Sequence, residues 1–147
     1  MIPPELSGDV LSDYLELWMK INVKYLLKYP KTVGLYASGV RYIPEPPGRE
    51  VWLAIPHVIA AGGSVCHSLA CWRAAELWVK GEDAWPRWSR SRQSDGTWLY
   101  HVRVFRGSGV DRIEDPSLLL GMGKSQNEVA MIGPSHHVPM VAGEIWK

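Results

Sequence analysis

The stretch from Cys66 to Lys80 constrains the fold more than any other. At helical spacing it is apolar almost all round, through Leu69, Ala70, Cys71, Trp72, Ala74, Ala75, Leu77, Trp78 and Val79. A helix without a polar face belongs at the buried centre of its domain, so other elements must cover it. Gly62-Gly63-Ser64 breaks the chain before it, and Gly81 suits the C′ position after it. Trp72 and Trp78 are expected to pack that centre. A chain of 147 residues suits one domain and buries roughly 70% of its unfolded surface.

The covering elements are legible on both sides. From Val10 to Tyr29, Leu11, Tyr14, Leu15, Trp18, Ile21, Tyr25 and Leu26 recur at helical spacing, with Asp9 as N-cap and Pro30 as the stop. Residues 34–50 read as irregular, because Pro44-Glu45-Pro46-Pro47-Gly48 suits neither regular helix nor central strand. A short helical turn is expected within Arg49 to Ala61. After Lys80 the apolar period changes from helical to alternating. Trp85 to Arg92 reads as a strand, Thr97 to Arg106 as a stronger one, and Val110 to Glu114 as a strand returning from the Gly107-Ser108-Gly109 turn. The expectation is one α+β domain over residues 1–120, its central helix packed on a small antiparallel sheet. Residues 121–147 carry four glycines, two prolines and no periodicity, and read as an extended C-terminal arm. Trp146 near its end is expected to dock on a neighbour or back along its own domain.

Composition removes several function classes. Sixteen Lys+Arg against fifteen Asp+Glu leave a net charge of +1, so overall charge does not drive nucleic-acid binding. No run approaches the roughly 18 apolar residues of a membrane span. The N-terminus lacks the pattern of a secretory signal. Cys66 and Cys71 lie five residues apart, about 140° around a helix, and so point apart as free thiols. That favours a reducing compartment.

Three residues are spaced as a nucleophilic thiol site requires. Cys66 opens the buried helix, where unpaired N–H groups favour a thiolate. His101 lies mid-strand and Asp115 ends the next strand. Fourteen residues separate them, a spacing that antiparallel pairing across the glycine turn brings side by side. An imidazole beside the thiol would take its proton, and a carboxylate on the far nitrogen would fix the ring. The bland alternative is a small buried cysteine and a satisfied sheet histidine.

Other constellations compete. Cys66, His67, His136 and His137 are candidate metal ligands, but adjacent pairs diverge and do not chelate well, so no metal or other cofactor is expected. Between residues 85 and 112, Arg87, Arg90, Arg92, Arg103, Arg106 and Arg112 face Asp95 and Asp111, which is six minus two, or +4. With Trp85, Trp88 and Trp98 nearby, this segment reads either as a surface for DNA or an acidic protein partner, or as a solvated strand face. The candidate contact residues are Arg87, Arg90, Arg92, Trp88 and Trp146.

Val40-Arg41-Tyr42, Glu45-Pro46-Pro47-Gly48-Arg49-Glu50-Val51-Trp52, Gly62-Gly63-Ser64-Val65-Cys66, Leu69-Ala70-Cys71-Trp72-Arg73-Ala74-Ala75-Glu76-Leu77, Tyr100-His101-Val102-Arg103-Val104 and Ile113-Glu114-Asp115-Pro116-Ser117, then Leu120-Gly121-Met122, follow in one order. Together, over about residues 40–122, they resemble the small transglutaminase-like proteins of the papain-like cysteine-nucleophile superfamily, a form common in phage and prophage genomes. The resemblance implies a papain-like core, with Cys66 as nucleophile, His101 as general base and acid, and Asp115 as orienter. One departure stands out: the family's box usually reads Gly-Asp-Cys followed by acidic residues, whereas here it reads Ser64-Val65-Cys66-His67-Ser68. Ser64 or Ser68 would take over part of the capping those acids provide. The backbone N–H of Cys66 is the candidate oxyanion donor, with Tyr42 or Trp52 nearby.

Two functions follow as expectations. One is a structural component of a phage particle, at head, connector or tail. It would contact other virion proteins in an oligomeric assembly through the Trp/Arg surface and the arm, in the virion or host cytoplasm. The other is a Cys-His-Asp acyl-transfer enzyme, acting as protease, amidase or transglutaminase. The lost acids and the arm favour the first and the intact triad order favours the second, with the balance on the particle role.

Overall fold

The central helix is where its composition puts it. In the computed structural model, which describes residues 8–45, 49–107, 112–123 and 145–146, helix α3 runs Cys66–Val79. Leu69, Ala70, Cys71, Trp72, Ala74, Ala75 and Leu77 are all buried in it. It is covered by α1 (Gly8–Lys28) and by strands β3 (Ala84–Arg92) and β4 (Trp98–Arg106). The remaining elements are β1 (Arg41–Tyr42), α2 (Ile55–Ala61), β2 (Gly63–Ser64), β5 (Ile113–Glu114), α4 (Pro116–Leu119) and β6 (Ile145–Trp146). The architecture is mixed α+β, with helices packed around a small antiparallel sheet in the order β5-β4-β3-β6.

Trp78 departs from expectation. Trp72 is fully buried, but Trp78 is 41% exposed and lies edge-on against Trp85 with ring centroids 4.8 Å apart. Six residues turn the helix by about 240°, so the two indoles leave α3 on different faces. On α1 the buried stripe is Leu11, Leu15, Met19, Asn22 and Leu26, while Tyr14 and Ile21 are exposed. Asn22 belongs in that stripe because its Oδ1 accepts the Ile55 N–H at 3.0 Å, anchoring the start of α2. α1 begins at Gly8, so the backbone of Asp9, expected to precede the helix, lies within its first turn. The expected helical turn between Arg49 and Ala61 begins only at Ile55, with Pro56 in the first turn.

The irregular stretch before α2 hides a second, parallel pair. Arg41 pairs with Gly63 and Tyr42 with Ser64. Gly62 ends α2 in the left-handed region at φ 80°, and the chain then passes close under β1. A Cβ on Gly63 would lie 2.2 Å from the Arg41 carbonyl oxygen, so only glycine fits there. Gly63→Ala is therefore expected to destabilise the protein by about 1–3 kcal/mol, read as a lower denaturation midpoint at constant m value. An unchanged midpoint would show that the parallel pair is not held tightly.

The far end of the sheet is tied by charge. Glu114 on β5 is 1% exposed; it accepts from Arg73 Nε at 2.5 Å, from Arg106 Nη1 at 3.1 Å and from the Tyr36 hydroxyl. Arg106 reaches on to Glu82 at 2.6 Å. The short strand β5 is thus held to α3, β4 and the turn at residues 35–37 together.

The C-terminal reading falls largely on residues 124–144, outside the described residues, as do His136 and His137. Ile145 and Trp146 return to the protein's own sheet, where they pair with Arg90 and Ser89 of β3. Among the described residues, no helix is long and apolar enough to cross a membrane.

Candidate active site

The β4–β5 register brings His101 and Asp115 together. Val104 lies opposite Glu114 and Phe105 opposite Ile113. Continuing that register sets Asp115 across from Arg103, with His101 on the same face one diagonal step away. His101 Nε2 lies 2.7 Å from Asp115 Oδ2, and Arg103 Nε lies 3.5 Å from the same oxygen. The other oxygen, Oδ1, accepts the Leu118 N–H at 3.2 Å as the N-cap of α4. One carboxylate therefore starts a helix and orients an imidazole, and neither oxygen is free to turn away.

Cys66 stands at the first position of α3, half-buried. Backbone N–H groups in that first turn lack intrahelical acceptors, which suits negative charge on the sulfur. Val65 provides no side-chain cap, and Ser68, expected as a capping substitute, instead accepts the Leu53 N–H at 3.0 Å. Nε2 of His101 is committed to Asp115, and His101 and Cys66 line the same cleft. Burial pushes the Cys66 thiol up, but the interactions with His101 and then His67 outweigh it and bring the pKa down to about 6. Burial likewise opposes charge on His101, yet Asp115 and then Cys66 raise it to about 10. Both shifts favour the thiolate, the form in which sulfur is nucleophilic.

Cys66, His101 and Asp115 line one cleft of about 530 Å³, together with Tyr42, Trp98 and Leu118 among others. Tyr42, named as a neighbour of the oxyanion position, lines that cleft. Trp52 stacks instead on the His67 ring, with centroids 4.0 Å apart. Cys71 is unlike Cys66: its thiol is buried, donates to the Leu15 carbonyl at 3.4 Å, and is pushed up by burial and by the neighbouring Cys66. Both cysteines are free.

The Arg/Trp surface is only partly as expected. Trp88 is corrected: it is 4% exposed, its indole N–H donates to Ser12 Oγ at 3.1 Å, and its ring packs against Tyr100. It faces inward because alternate residues of β3 point toward α1 and α3. Trp98 takes its place at the surface, 38% exposed, with the Arg90 and Arg92 guanidiniums over its ring at 4.4 and 5.4 Å. Arg87 is exposed. The Trp146 side chain lies outside what is described.

Arg103 and Arg106 drop out of the basic face, the first buried beside Asp115 and the second paired with Glu82 and Glu114. The +4 charge of the segment is therefore not the charge of one surface. The place of Arg103 beside Asp115 is signalled in the sequence only by its position two residues from His101 on one strand face. Among the described residues, no group of three or more His, Cys, Asp or Glu side chains is arranged to hold a metal ion. No protein-family model matches the chain, and neither the curated proteins nor the solved structures yield a match.

Proposed function

We propose that the protein is a cysteine-nucleophile acyl-transfer enzyme built on a papain-like core. The observation that carries this reading is His101, held by Asp115 at 2.7 Å in the cleft that the half-buried Cys66 also lines. The Cys66 thiolate attacks an amide or ester carbonyl, forming the C–S bond and an oxyanion beside the first N–H groups of α3. The His101 imidazolium then gives its proton to the leaving amine or alcohol as the C–N or C–O bond breaks, leaving a thioester. Water, deprotonated by the now neutral His101, or an acceptor amine resolves the thioester and regenerates the thiolate.

The test of the first step is selective alkylation. Iodoacetamide labelling of Cys66 is expected to rise as pH increases through about 6 and then level off, because the thiolate fraction saturates above that value. Native Cys71 should stay unlabelled. Equal labelling of the two, or a midpoint near the ordinary thiol value of roughly 8.5, removes the basis for the reading.

A second reading, contact with neighbouring proteins of a particle or with DNA, draws on the exposed Trp98 between Arg90 and Arg92, with Arg87 nearby. Such a composition is typical of binding hot spots. It predicts an assembly or DNA complex that weakens when Arg92, outside the cleft lining, is replaced by Ala while Cys66 reactivity is retained.

A further inference from the structure

The cleft reaches beyond the triad along the β3–β4 hairpin. Ser91, Trp98, Leu99 and Tyr100 line it together with Cys66 and His101. Trp98 and Leu99 are 38% and 55% exposed, although Val102 and Val104 further along the same strand are fully buried. Arg92 pairs across the hairpin with Trp98, and Arg90 with Tyr100. Their guanidiniums lie over the Trp98 ring, 4.4 Å from its centroid for Arg90 and 5.4 Å for Arg92. Two positive charges are thus fixed on an aromatic residue that forms part of the cleft wall.

Neither charge is neutralised nearby. Among the described residues no carboxylate forms an ion pair with Arg90 or Arg92. Arg90 Nε is also buried without a hydrogen-bond partner. The nearest acid in sequence, Asp95, accepts instead from the Thr97 backbone N–H at 2.9 Å and from its hydroxyl at 2.6 Å, closing the turn. A planar guanidinium already held against a ring loses little freedom on binding a carboxylate, so the two arginines are preorganised for one.

The sheet determines what kind of molecule meets them. β5 pairs with β4 only at Val104 and Phe105, so from Trp98 to Val102 no described strand lies on that side of β4. An extended chain laid along that edge advances about 3.3 Å per residue, as the strand does. Trp98 is three residues from His101, so roughly 10 Å separates the reacting end from the guanidiniums. We propose that the β3–β4 hairpin is the substrate arm of the site. It selects an extended peptide with Asp or Glu about three residues from the reacting carbonyl, the carboxylate bound by Arg90 and Arg92. Glu45 lines the cleft after β1 and disfavours an acid there, so the preference is one-sided. This names a substrate class for the acyl-transfer reading and rests on it.

The test measures the binding of short fluorescein-labelled peptides to the Cys66→Ser protein by anisotropy, so no turnover is needed. Each peptide has a central Gln; a Glu stands three residues before it, three residues after it, or is replaced by Gln. One of the two Glu peptides is expected to bind about tenfold tighter than the Gln control, from one carboxylate shared by two guanidiniums. The gain should shrink as salt is raised, and fall below about twofold in the Arg90→Gln/Arg92→Gln variant. Equal Kd for all three peptides, or a Glu preference that survives the double substitution, overturns the proposal. So does tight binding of a DNA duplex through the two arginines with no preference among the peptides.

If the double variant does not fold, the native hairpin still decides. The NMR signal of the Trp98 indole N–H, assigned by its loss in Trp98→Phe, should shift on adding the favoured Glu peptide and stay in place with the Gln control. Identical responses reject the subsite. A protein that binds the Glu peptide selectively but transfers no acyl group loses the acyl-transfer reading and keeps the subsite. One that turns over Glu and Gln peptides equally well keeps the reading and loses the subsite.

Discussion

His101→Asn is expected to lower hydrolysis of an activated thioester or amide by roughly 10²–10⁴-fold, the usual contribution of a positioned general acid–base. The loss should appear in kcat, because the proton is moved only as bonds break. Asn keeps a polar group near Asp115 but cannot shuttle a proton. In the native protein, kcat/KM against pH should rise through about 6, as Cys66 becomes thiolate, and fall through about 10, as His101 loses its proton. The sign follows from the roles: the thiolate must be deprotonated and the imidazole protonated. Asp115→Asn should cost a comparable factor while leaving the start of α4 capped, since an Asn Oδ1 can still accept the Leu118 N–H. A His101→Asn protein within threefold of native turnover would sink the triad.

Glu114→Ala is expected to give the largest loss of stability, about 3–5 kcal/mol, because it removes the buried carboxylate that Arg73, Arg106 and Tyr36 share. Glu76 at 3.5 Å and Glu82 at 2.6 Å are then the remaining partners of the two arginines. Arg73 and Arg106 are 13% and 19% exposed and both donate to Glu114. The Tyr36 hydroxyl, which burial and then Glu114 hold well above its ordinary pKa, loses its acceptor in the same step. The melting temperature should drop by about 10 °C for a domain of this size. By contrast, breaking the exposed Lys20–Glu16 pair, 2.9 Å apart on α1, should change stability by less than about 1 kcal/mol. Glu114 also sets the register that places Asp115, so Cys66 reactivity in Glu114→Ala should shift toward that of an ordinary thiol. A loss below about 1 kcal/mol would mean that the network is solvated rather than buried.

Much of this arrangement was legible along the chain. An apolar run with no polar face is buried wherever it sits, so α3 as the centre follows from Cys66–Val79 alone. Strict alternation from Thr97 to Arg106 and a glycine turn after it imply an antiparallel return, and antiparallel pairing makes His101 and Asp115 neighbours. The expected stripe of α1 was less secure. Aromatics such as Tyr14 resemble core residues by hydrophobicity, whereas Asn22 is buried only because a backbone N–H from a distant segment needs its oxygen.

Local periodicity and loop chemistry, then, determined the order of elements, the buried helix and the pairing of the imidazole with its carboxylate. These depend on neighbours within one helix or one hairpin, whose geometry repeats. The tertiary structure decided which tryptophans are inside, leaving Trp78 exposed and burying Trp88. It withdrew Arg103 from the basic face to the side of Asp115 and slid Gly63 under the Arg41 carbonyl. It also set His67 on Trp52 and its Nε2 against the Val51 carbonyl. Each of those outcomes turns on contacts between segments far apart in sequence, where no period exists to be read.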